Sequence, residues 1–487
     1  MKISKLLLNT CCKTEKFNDI EIDEISIDSK KIFKKENAIY VCLKGENTDG
    51  HLFASEAVKN GAKAVLCEYP LGICENEFVV PSTRKALAVI ASNLYDNPQE
   101  KLKMIAITGT NGKTTTTFML KSILEAEGKS VGIIGTTGAY IKDKCLKVNL
   151  TTPDPVELNK ILSVMVENGC EYCALEASAH SLFYDKLYGI NFDAGIFSNL
   201  TQDHLDFFKN MENYKNAKKK LFNMCKLVVS NVDDEMGKEI IKEAKVASVC
   251  YALNSPADCF AIDIVKKTFE TKCVFNLFDD VLNVSINLPG EFNVYNALAA
   301  ATTAKVLGIS SDAIKVGLKN LKFVPGRFNT IKLLNGAYAV VDFAHTPDGI
   351  EKILTAIKDL KPKRLISVFG CGGNRDKDKR HKMGLIAEKL SDFVVITSDN
   401  PRFENPNLIM QDVVRDMKRE NYVCVENRKK AVEIALSLSR KGDIVAILGK
   451  GGEEYQDING VKSPYSDYDV VVNFNKKMAT LISAIGG

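Results

Sequence analysis

The segment Thr108-Gly109-Thr110-Asn111-Gly112-Lys113-Thr114-Thr115 lies between an apolar run, Met104-Ile105-Ala106-Ile107, and a helical pattern from Thr114 to about Glu127 that Gly128 stops. A phosphate-binding turn needs this context. Glycines let the backbone wrap an anion, the helix start offers free N–H groups, a lysine reaches the terminal phosphates, and a threonine hydroxyl can ligate Mg²⁺. Ile107 stands where the general pattern has its first glycine. A turn that merely capped a helix would need neither Lys113 nor consecutive threonines. By itself such a loop leaves kinase, NTPase and ligase open.

Other residue types narrow the chemistry. Glu176 closes the apolar run Tyr172-Cys173-Ala174-Leu175, where a carboxylate would reach a crevice at the end of a strand, and His204 follows the run Ala194 to Ser198. Both are candidate Mg²⁺ ligands, although that ion prefers oxygen and His204 can equally be a loop histidine. The run Lys218-Lys219-Lys220 sits in a helical segment, Glu212 to Phe222, and reads as a solvated basic face, most clearly at Lys219 and Lys220. Asn293 and Asn296, three apart at the start of a helical segment, can face one ligand or cap the helix. Cys170-Glu171-Tyr172-Cys173 enters a buried strand and has no second pair, so buried thiols are expected there and not zinc. Gly370-Cys371-Gly372-Gly373 lacks the full dinucleotide fingerprint.

Three stretches of chain must position these groups. Residues 1–98 mix short apolar runs with helical segments such as Ser55 to Asn60 and predict a small α/β domain. Residues 99–326 alternate strand and helix, which implies a mainly parallel sheet of the P-loop ATPase kind, with antiparallel strands added between 258 and 288. Residues 327–487 alternate again, with Ala337 to Val341, Leu365 to Phe369, Phe393 to Ile396 and Ile444 to Leu448 as buried strands, and predict a Rossmann-like third domain. The 487-residue length fits three domains. The net charge of +4 is too small to suggest nucleic-acid binding. The 14 Cys show no framework spacing and fit reduced thiols in a cytoplasm. The opening apolar run is three leucines, too short for a signal peptide, and no window approaches the roughly 18–20 apolar residues of a membrane span.

The order of motifs resembles the Mur ligase family over nearly the whole chain. After the phosphate loop come Thr151-Thr152-Pro153-Asp154, Glu176-Ala177-Ser178-Ala179-His180, Asn199-Leu200-Thr201-Gln202-Asp203-His204-Leu205-Asp206 and Gly290-Glu291-Phe292-Asn293-Val294-Tyr295-Asn296. Pro325-Gly326-Arg327-Phe328, Asp342-Phe343-Ala344-His345-Thr346-Pro347-Asp348 and Phe369 to Asp376 follow. Within the family the likeness is to ligases that add the third amino acid of the peptidoglycan stem peptide. The resemblance implies a monomeric, cytoplasmic enzyme of cell-wall precursor synthesis that uses ATP and Mg²⁺. It would join meso-diaminopimelate to the D-Glu γ-carboxylate of UDP-N-acetylmuramoyl-L-Ala-D-Glu. The alternatives are a lysine-adding or other Mur-type ligase, a folylpolyglutamate-synthase-like enzyme, and a non-catalytic nucleotide-sugar-binding protein.

Residue roles follow from that likeness alone. Lys113, Glu176, His204 and Lys218 would be catalytic. The nucleotide would be held by Gly109, Thr110, Asn111, Gly112, Lys113, Thr114, Thr115, Asn293, Asn296, Arg327, Asp342 and His345. Mg²⁺ would be held by Thr114 or Thr115 with Glu176, and by His204 with Lys218 as its carbamate. Ser29, Glu46, Asn47, Thr48, Thr151, Thr152, Ser178, Tyr184 and Lys186 would hold the UDP-sugar-peptide. Asp399-Asn400-Pro401-Arg402 matches the motif of diaminopimelate-adding ligases, and a guanidinium suits the distal carboxylate that distinguishes diaminopimelate from lysine. Arg375, Gly449 and Glu453 match the remaining amino-acid contacts. The chain departs from the family at Lys30, Leu150, Tyr184, Lys186, Phe208, Asn329 and Gly452. Leu150 removes one polar contact.

Overall fold

The computed structural model describes residues 1–34, 37–45, 48–142, 144–267 and 270–485. Its strands form three large sheets that follow one another along the chain. In the first, Glu24–Ser26, Ala38–Val41, Ala64–Cys67 and Glu77–Val79 pair in sequence order, all parallel. Side chains alternate across this sheet as strand geometry requires. Ile39 and Val41 pack with Ile90 and Ala91 of the helix Thr83–Leu94, and Ala38 and Tyr40 pack with Ala54 and Ala57 on the other face.

The central sheet has eleven strands among the described residues. Its middle is parallel, with Lys103–Thr108 flanked by Tyr172–Glu176 and Ala194–Phe197. Ile105 and Ile107 face one core with Met119 and Ile123 of the helix Lys113–Ala126, while Met104 and Ala106 face another with Leu158 and Met165 of Pro155–Glu167. The expected antiparallel addition is Cys259–Lys266, Thr271–Leu277 and Asp280–Ile286. The opposite edge carries a second antiparallel piece, Gly138–Ile141 with Lys144–Leu146, which the short, glycine- and lysine-bearing sequence did not announce.

The third sheet runs Asn329–Lys332, Tyr338–Asp342, Ile444–Leu448, Leu365–Phe369, Phe393–Thr397, Tyr422–Val425, antiparallel only at its first pair. Four neighbouring parallel strands therefore end on one edge, which is where Asp342, Gly370, Asp399 and Gly449 emerge. Tyr338–Asp342 sits one residue later than the sequence suggests, so Asp342 is the last residue of its strand. The segment expected to be helical to Phe222 is α-helical over Met211–Lys219 and tightens to a 3₁₀ turn over Lys220–Met224. Among the described residues no helix is long and apolar enough to cross a membrane.

Candidate active site

The phosphate loop turns because Gly109 (φ +148°) and Gly112 (φ +89°) adopt backbone conformations closed to other residues. A side chain at Gly112 would also run into Asn296, whose Oδ1 lies 2.2 Å from the site a Cβ would occupy. The turn is held from outside by Asn199, which accepts from Asn111 N at 3.0 Å through its side chain and from Thr110 N at 2.8 Å through its carbonyl. Lys113 opens the helix and curls back over the loop, donating to the Gly109 and Thr110 carbonyls, each at 2.9 Å. Burial lowers its pKa, Glu176 and Asp203 oppose that, and Arg327 adds to it.

Glu176, last in its strand, is buried against Thr114 and Thr136. Thr114 Oγ1 donates to Glu176 Oε1 at 2.8 Å, Thr136 N to the same oxygen at 3.0 Å, and Thr136 Oγ1 to Oε2 at 3.1 Å. A hydroxyl and a carboxylate this close, beside a phosphate loop, are the hard oxygen donors Mg²⁺ takes when phosphates and water complete its shell. Thr114 and Glu176 fit that ion. Thr115 is buried and lines the same cleft.

Asp203, buried and unassigned by the sequence reading, lies 3.3 Å from His204 Nε2 and 3.7 Å from His345 Nε2, and pairs with Lys379 Nζ at 3.2 Å. Burial works to raise its pKa, but Lys379, His345 and His204 hold it well below the ordinary carboxylate range. Burial pulls the His204 pKa down to about 3 against Asp203, so its imidazole is neutral with a lone pair to offer. His204 takes a left-handed backbone (φ +56°) at the start of the turn Leu205–Phe208. Lys218 is buried over the Tyr214 ring, 4.4 Å from its centroid, and donates to the Gly109 carbonyl at 2.7 Å. Burial first, and Lys113 second, hold its pKa well below that of an ordinary lysine. It is thus distinct from Lys219, which pairs with Glu239 and Glu243 on the surface.

The third domain closes over this group. Arg327 donates to Thr114 Oγ1 at 3.0 Å and stacks on Phe343 at 4.5 Å. Asp342 accepts from Phe328 N and Ala344 N, each at 2.8 Å, which fixes the turn carrying Arg327, while burial raises its pKa. His345 Nδ1 meets the Phe343 carbonyl at 2.8 Å. Asn111 donates to Asp348 at 2.8 Å, and Arg375 faces Asp206 at 3.7 Å. Asn293 and Asn296 join this wall, bonded to each other at 3.1 Å, and Asn293 donates to the Pro289 carbonyl at 2.8 Å. Neither caps the helix Glu291–Val306, whose first flanking residue is Gly290. Together the central and third domains enclose a cleft of about 930 Å³.

The same cleft reaches the proposed amino-acid residues Arg375, Asp399, Asn400, Arg402, Gly449 and Glu453. Arg402 holds the Gly373 carbonyl at 2.7 Å, and Asn400 Nδ2 donates to Glu453 Oε2 at 3.0 Å. Pro401 lies outside the cleft lining and faces a smaller surface hollow with Phe403. Two buried cations that the sequence reading passed over support the set. Arg428 grips Asp467 with two bonds (2.9 and 2.7 Å), and Lys450 bonds Asn400 at 2.8 Å. Lys450 was legible in principle as the lysine between Gly449 and Glu453; Arg428, at the start of an ordinary helix, carried no signal.

The residues assigned to the UDP-sugar-peptide are spread along the chain. Thr151 and Ser178 line the cleft, with Thr151 Oγ1 3.2 Å from Thr136 Oγ1. Thr152 donates to the Glu176 carbonyl at 2.7 Å and to Ser178 Oγ at 3.1 Å, fastening the two motifs together. Lys186 pairs with Asp154 at 2.7 Å, and Tyr184 lies under the Arg84 guanidinium at 4.2 Å. Ser29 donates to Glu56 at 2.7 Å within the first domain, where the Thr48 carbonyl accepts from Gly45 N at 2.8 Å. Glu46 and Asn47 lie outside the described residues.

Comparison with known proteins matches three family models in order: "Mur ligase family, catalytic domain" over residues 21–95, "Mur ligase middle domain" over 107–304 and "Mur ligase, glutamate ligase domain" over 326–451. A relative from Clostridium acetobutylicum, named UDP-N-acetylmuramoyl-L-alanyl-D-glutamate–2,6-diaminopimelate ligase 1, is 44% identical over 467 residues, covering 94% of this chain and 96% of its own. A solved structure of a ligase with that activity in its name, 30% identical, superposes with a TM-score of 0.68 over 98% of this chain and 99% of the other. The MurF ligase from Thermotoga maritima in complex with ADP, 21% identical over 94% of this chain and 98% of its own, shares the fold with a TM-score of 0.62.

Proposed function

The chain belongs to the Mur ligase family, and we propose that it couples ATP cleavage to amide-bond formation between the D-Glu γ-carboxylate of UDP-N-acetylmuramoyl-L-Ala-D-Glu and meso-diaminopimelate, in peptidoglycan precursor synthesis. The relative from Clostridium acetobutylicum is named as a ligase of UDP-N-acetylmuramoyl-L-alanyl-D-glutamate and 2,6-diaminopimelate. The observation that carries the reading is the single cleft that has Lys113 and Glu176 on one wall and Arg402 and Glu453 on the other. Residues 1–98 would hold the uridine nucleotide, 99–326 ATP and 327–487 the amino acid.

The reaction has two steps. A carboxylate is a poor electrophile, so a γ-carboxylate oxygen first attacks the γ-phosphorus of ATP, and ADP leaves. The free amine nitrogen then attacks the acyl-phosphate carbon to give a tetrahedral intermediate, which loses one proton to solvent and expels inorganic phosphate, leaving the amide N–H. Both steps gather negative charge. Lys113, released from its own loop carbonyls by the nucleotide, and Arg327, reaching across the seam, supply cations where that charge develops. Arg375 and Arg402 hold carboxylates of the incoming amino acid, and Glu453 its distal ammonium. Closure of the third domain excludes water that would hydrolyse the acyl phosphate.

Thr114 with Glu176, and His204 with Lys218, would hold Mg²⁺, which supplies charge neutralisation at the phosphates. Lys218 suits conversion to a carbamate because burial favours its free amine, the form that adds CO₂, and a carbamate offers the oxygen an ammonium cannot. Loss of one CO₂ mass from the intact protein on acidification tests that step. The chain is proposed to act as a cytoplasmic monomer.

The deciding experiment measures phosphate release from ATP with the UDP-dipeptide and meso-diaminopimelate, lysine or no amino acid. Release with diaminopimelate alone is the expected result. Release with lysine alone transfers the assignment to a lysine-adding ligase, and release with neither refutes a ligase of this step.

A further inference from the structure

Lys450 lies two residues beyond the strand Ile444–Leu448 and is fully buried. An ammonium has three N–H donors, and here each has an oxygen: Asn400 Oδ1 at 2.8 Å, the Tyr455 carbonyl at 2.9 Å and Glu453 Oε2 at 3.2 Å. Asp399 Oδ1 stands 3.9 Å away. Asn400 closes the figure. Its Oδ1 also accepts from Asp457 N at 2.9 Å, which leaves its Nδ2 to donate to Glu453 Oε2 at 3.0 Å. Lys450, Asn400 and Glu453 therefore form a bonded triangle beneath the amino-acid end of the cleft, which Asn400 and Glu453 line and Lys450 does not.

Burying an ammonium carries a desolvation penalty, and well-packed apolar replacements of buried charges are often no less stable. A lysine here needs a reason beyond packing, and its bonds supply one. Lys450, together with the Asp457 N–H, fixes one of two amide orientations for Asn400, because only Oδ1 can face an ammonium. It also occupies Glu453 Oε2, which leaves the other carboxylate oxygen for a ligand. Without the ammonium, Glu453 would fold toward the Asn400 amide or leave for water, and Asp399 would lose one of its two cations.

We propose that Lys450 is a positioning residue for amino-acid binding: without touching substrate, it holds the Asn400 amide and the Glu453 carboxylate in place, so that the pair receives a distal ammonium. This rests on the amino-acid site assigned above and goes further by naming what holds its ammonium-binding pair in place.

The test is a double-mutant cycle of Lys450→Met and Glu453→Gln in the full chain, with Michaelis constants for all three substrates. Lys450→Met is expected to raise KM for the amino acid at least tenfold, with KM for ATP and the UDP-dipeptide changed less than twofold. Added to Glu453→Gln, it should raise KM less than threefold further, because its effect passes through Glu453. An unchanged amino-acid KM, a parallel rise of all three constants, or independent multiplication with Glu453→Gln overturns the proposal. Should Lys450→Met not fold, Lys450→Gln, which keeps a donor and loses the charge, enters the same cycle; if neither folds, the residue is structural and the proposal falls. The cycle uses whichever amino acid the wild type consumes. A wild type that takes lysine corrects the substrate and still leaves Lys450 to be judged, whereas one that takes no amino acid removes both readings.

Discussion

Asp203 of the central domain and Lys379 of the third form a buried ion pair, 3.2 Å apart in space and 176 residues apart in sequence. Around it lie Gln202 with Asp376 (3.1 Å) and His345 with the Asp203 carboxylate (3.7 Å). The pair exists only when the two domains meet, and it lies beside His204 and His345, which are proposed to serve the acyl transfer.

Lys379→Met should accordingly act on the closure equilibrium more than on folding. A buried carboxylate stripped of its partner is strongly disfavoured, at about 3–5 kcal/mol when it cannot escape, but opening the cleft returns Asp203 to water. The expected outcome is a larger radius of gyration by small-angle scattering, a fall in kcat/KM of at least about tenfold, and a melting temperature close to wild type. An unchanged scattering profile with full activity would show that the pair does not hold the domains.

Arg402→Ala tests the amino-acid end separately. One N–H of the guanidinium is committed to the Gly373 carbonyl at 2.7 Å, which points the group and leaves its other donors for a carboxylate. Charge-assisted hydrogen bonds contribute about 1.5–3 kcal/mol, so KM for diaminopimelate should rise roughly 10–100-fold. ATP affinity, measured by calorimetry, should stay within twofold. An unchanged diaminopimelate KM would remove Arg402 from the substrate contacts.

The phosphate loop was legible because its chemistry is local: strand, glycine turn, lysine and helix occupy one short segment. Glu176 and His204 were legible in part, since the ends of apolar runs foretell where a side chain emerges from a sheet. The supporting charges were not. Lys379 stands in Asp376-Lys377-Asp378-Lys379-Arg380-His381-Lys382, which reads as a solvated charge run, yet Asp376, Lys379 and Arg380 are buried and Lys377, Asp378, His381 and Lys382 are not. What separates them is which face of the helix Asp378–Leu390 meets the rest of the protein, a fact held by residues far away in sequence. Lysines 218 to 220 show the same limit, because composition alone cannot tell the buried amine from its exposed neighbours.

Tyr184 replaces a residue type common in the family, and its ring lies under the Arg84 guanidinium at 4.2 Å. Arg84 is the second residue of the helix Thr83–Leu94 of the first domain and donates to the Lys44 carbonyl, so it links the chain at Lys44 to the residue that follows the helix Ala179–Phe183. Arg84→Ala should raise KM for the UDP-dipeptide several-fold while leaving KM for ATP and the amino acid unchanged. Arg84→Lys, which keeps the charge but loses the planar face, should recover only part of that. Equal change in all three constants would mean that the stack serves folding and not substrate alignment.

Asp399 provides a pH prediction. Burial works to raise its pKa, but Lys450 and Arg428 outweigh that and hold it below the ordinary value of 3.8. A carboxylate whose folded pKa is depressed stabilises the native state in full above its unfolded value, and that contribution is lost as pH falls through the folded one. Wild type should therefore exceed Asp399→Asn in melting temperature most clearly at about pH 6, with the gap narrowing as pH falls below about 4, where the wild-type carboxylate takes up its proton. Activity should follow the same variant differently: at neutral pH, Asp399→Asn leaves Lys450 and Arg428 with one anion fewer, so KM for the amino acid should rise while ATP binding holds. A gap that stays constant from pH 6 to acid would mean that Asp399 carries no charge-dependent stability, and that the two buried cations are balanced by Asp467 and Glu453 alone.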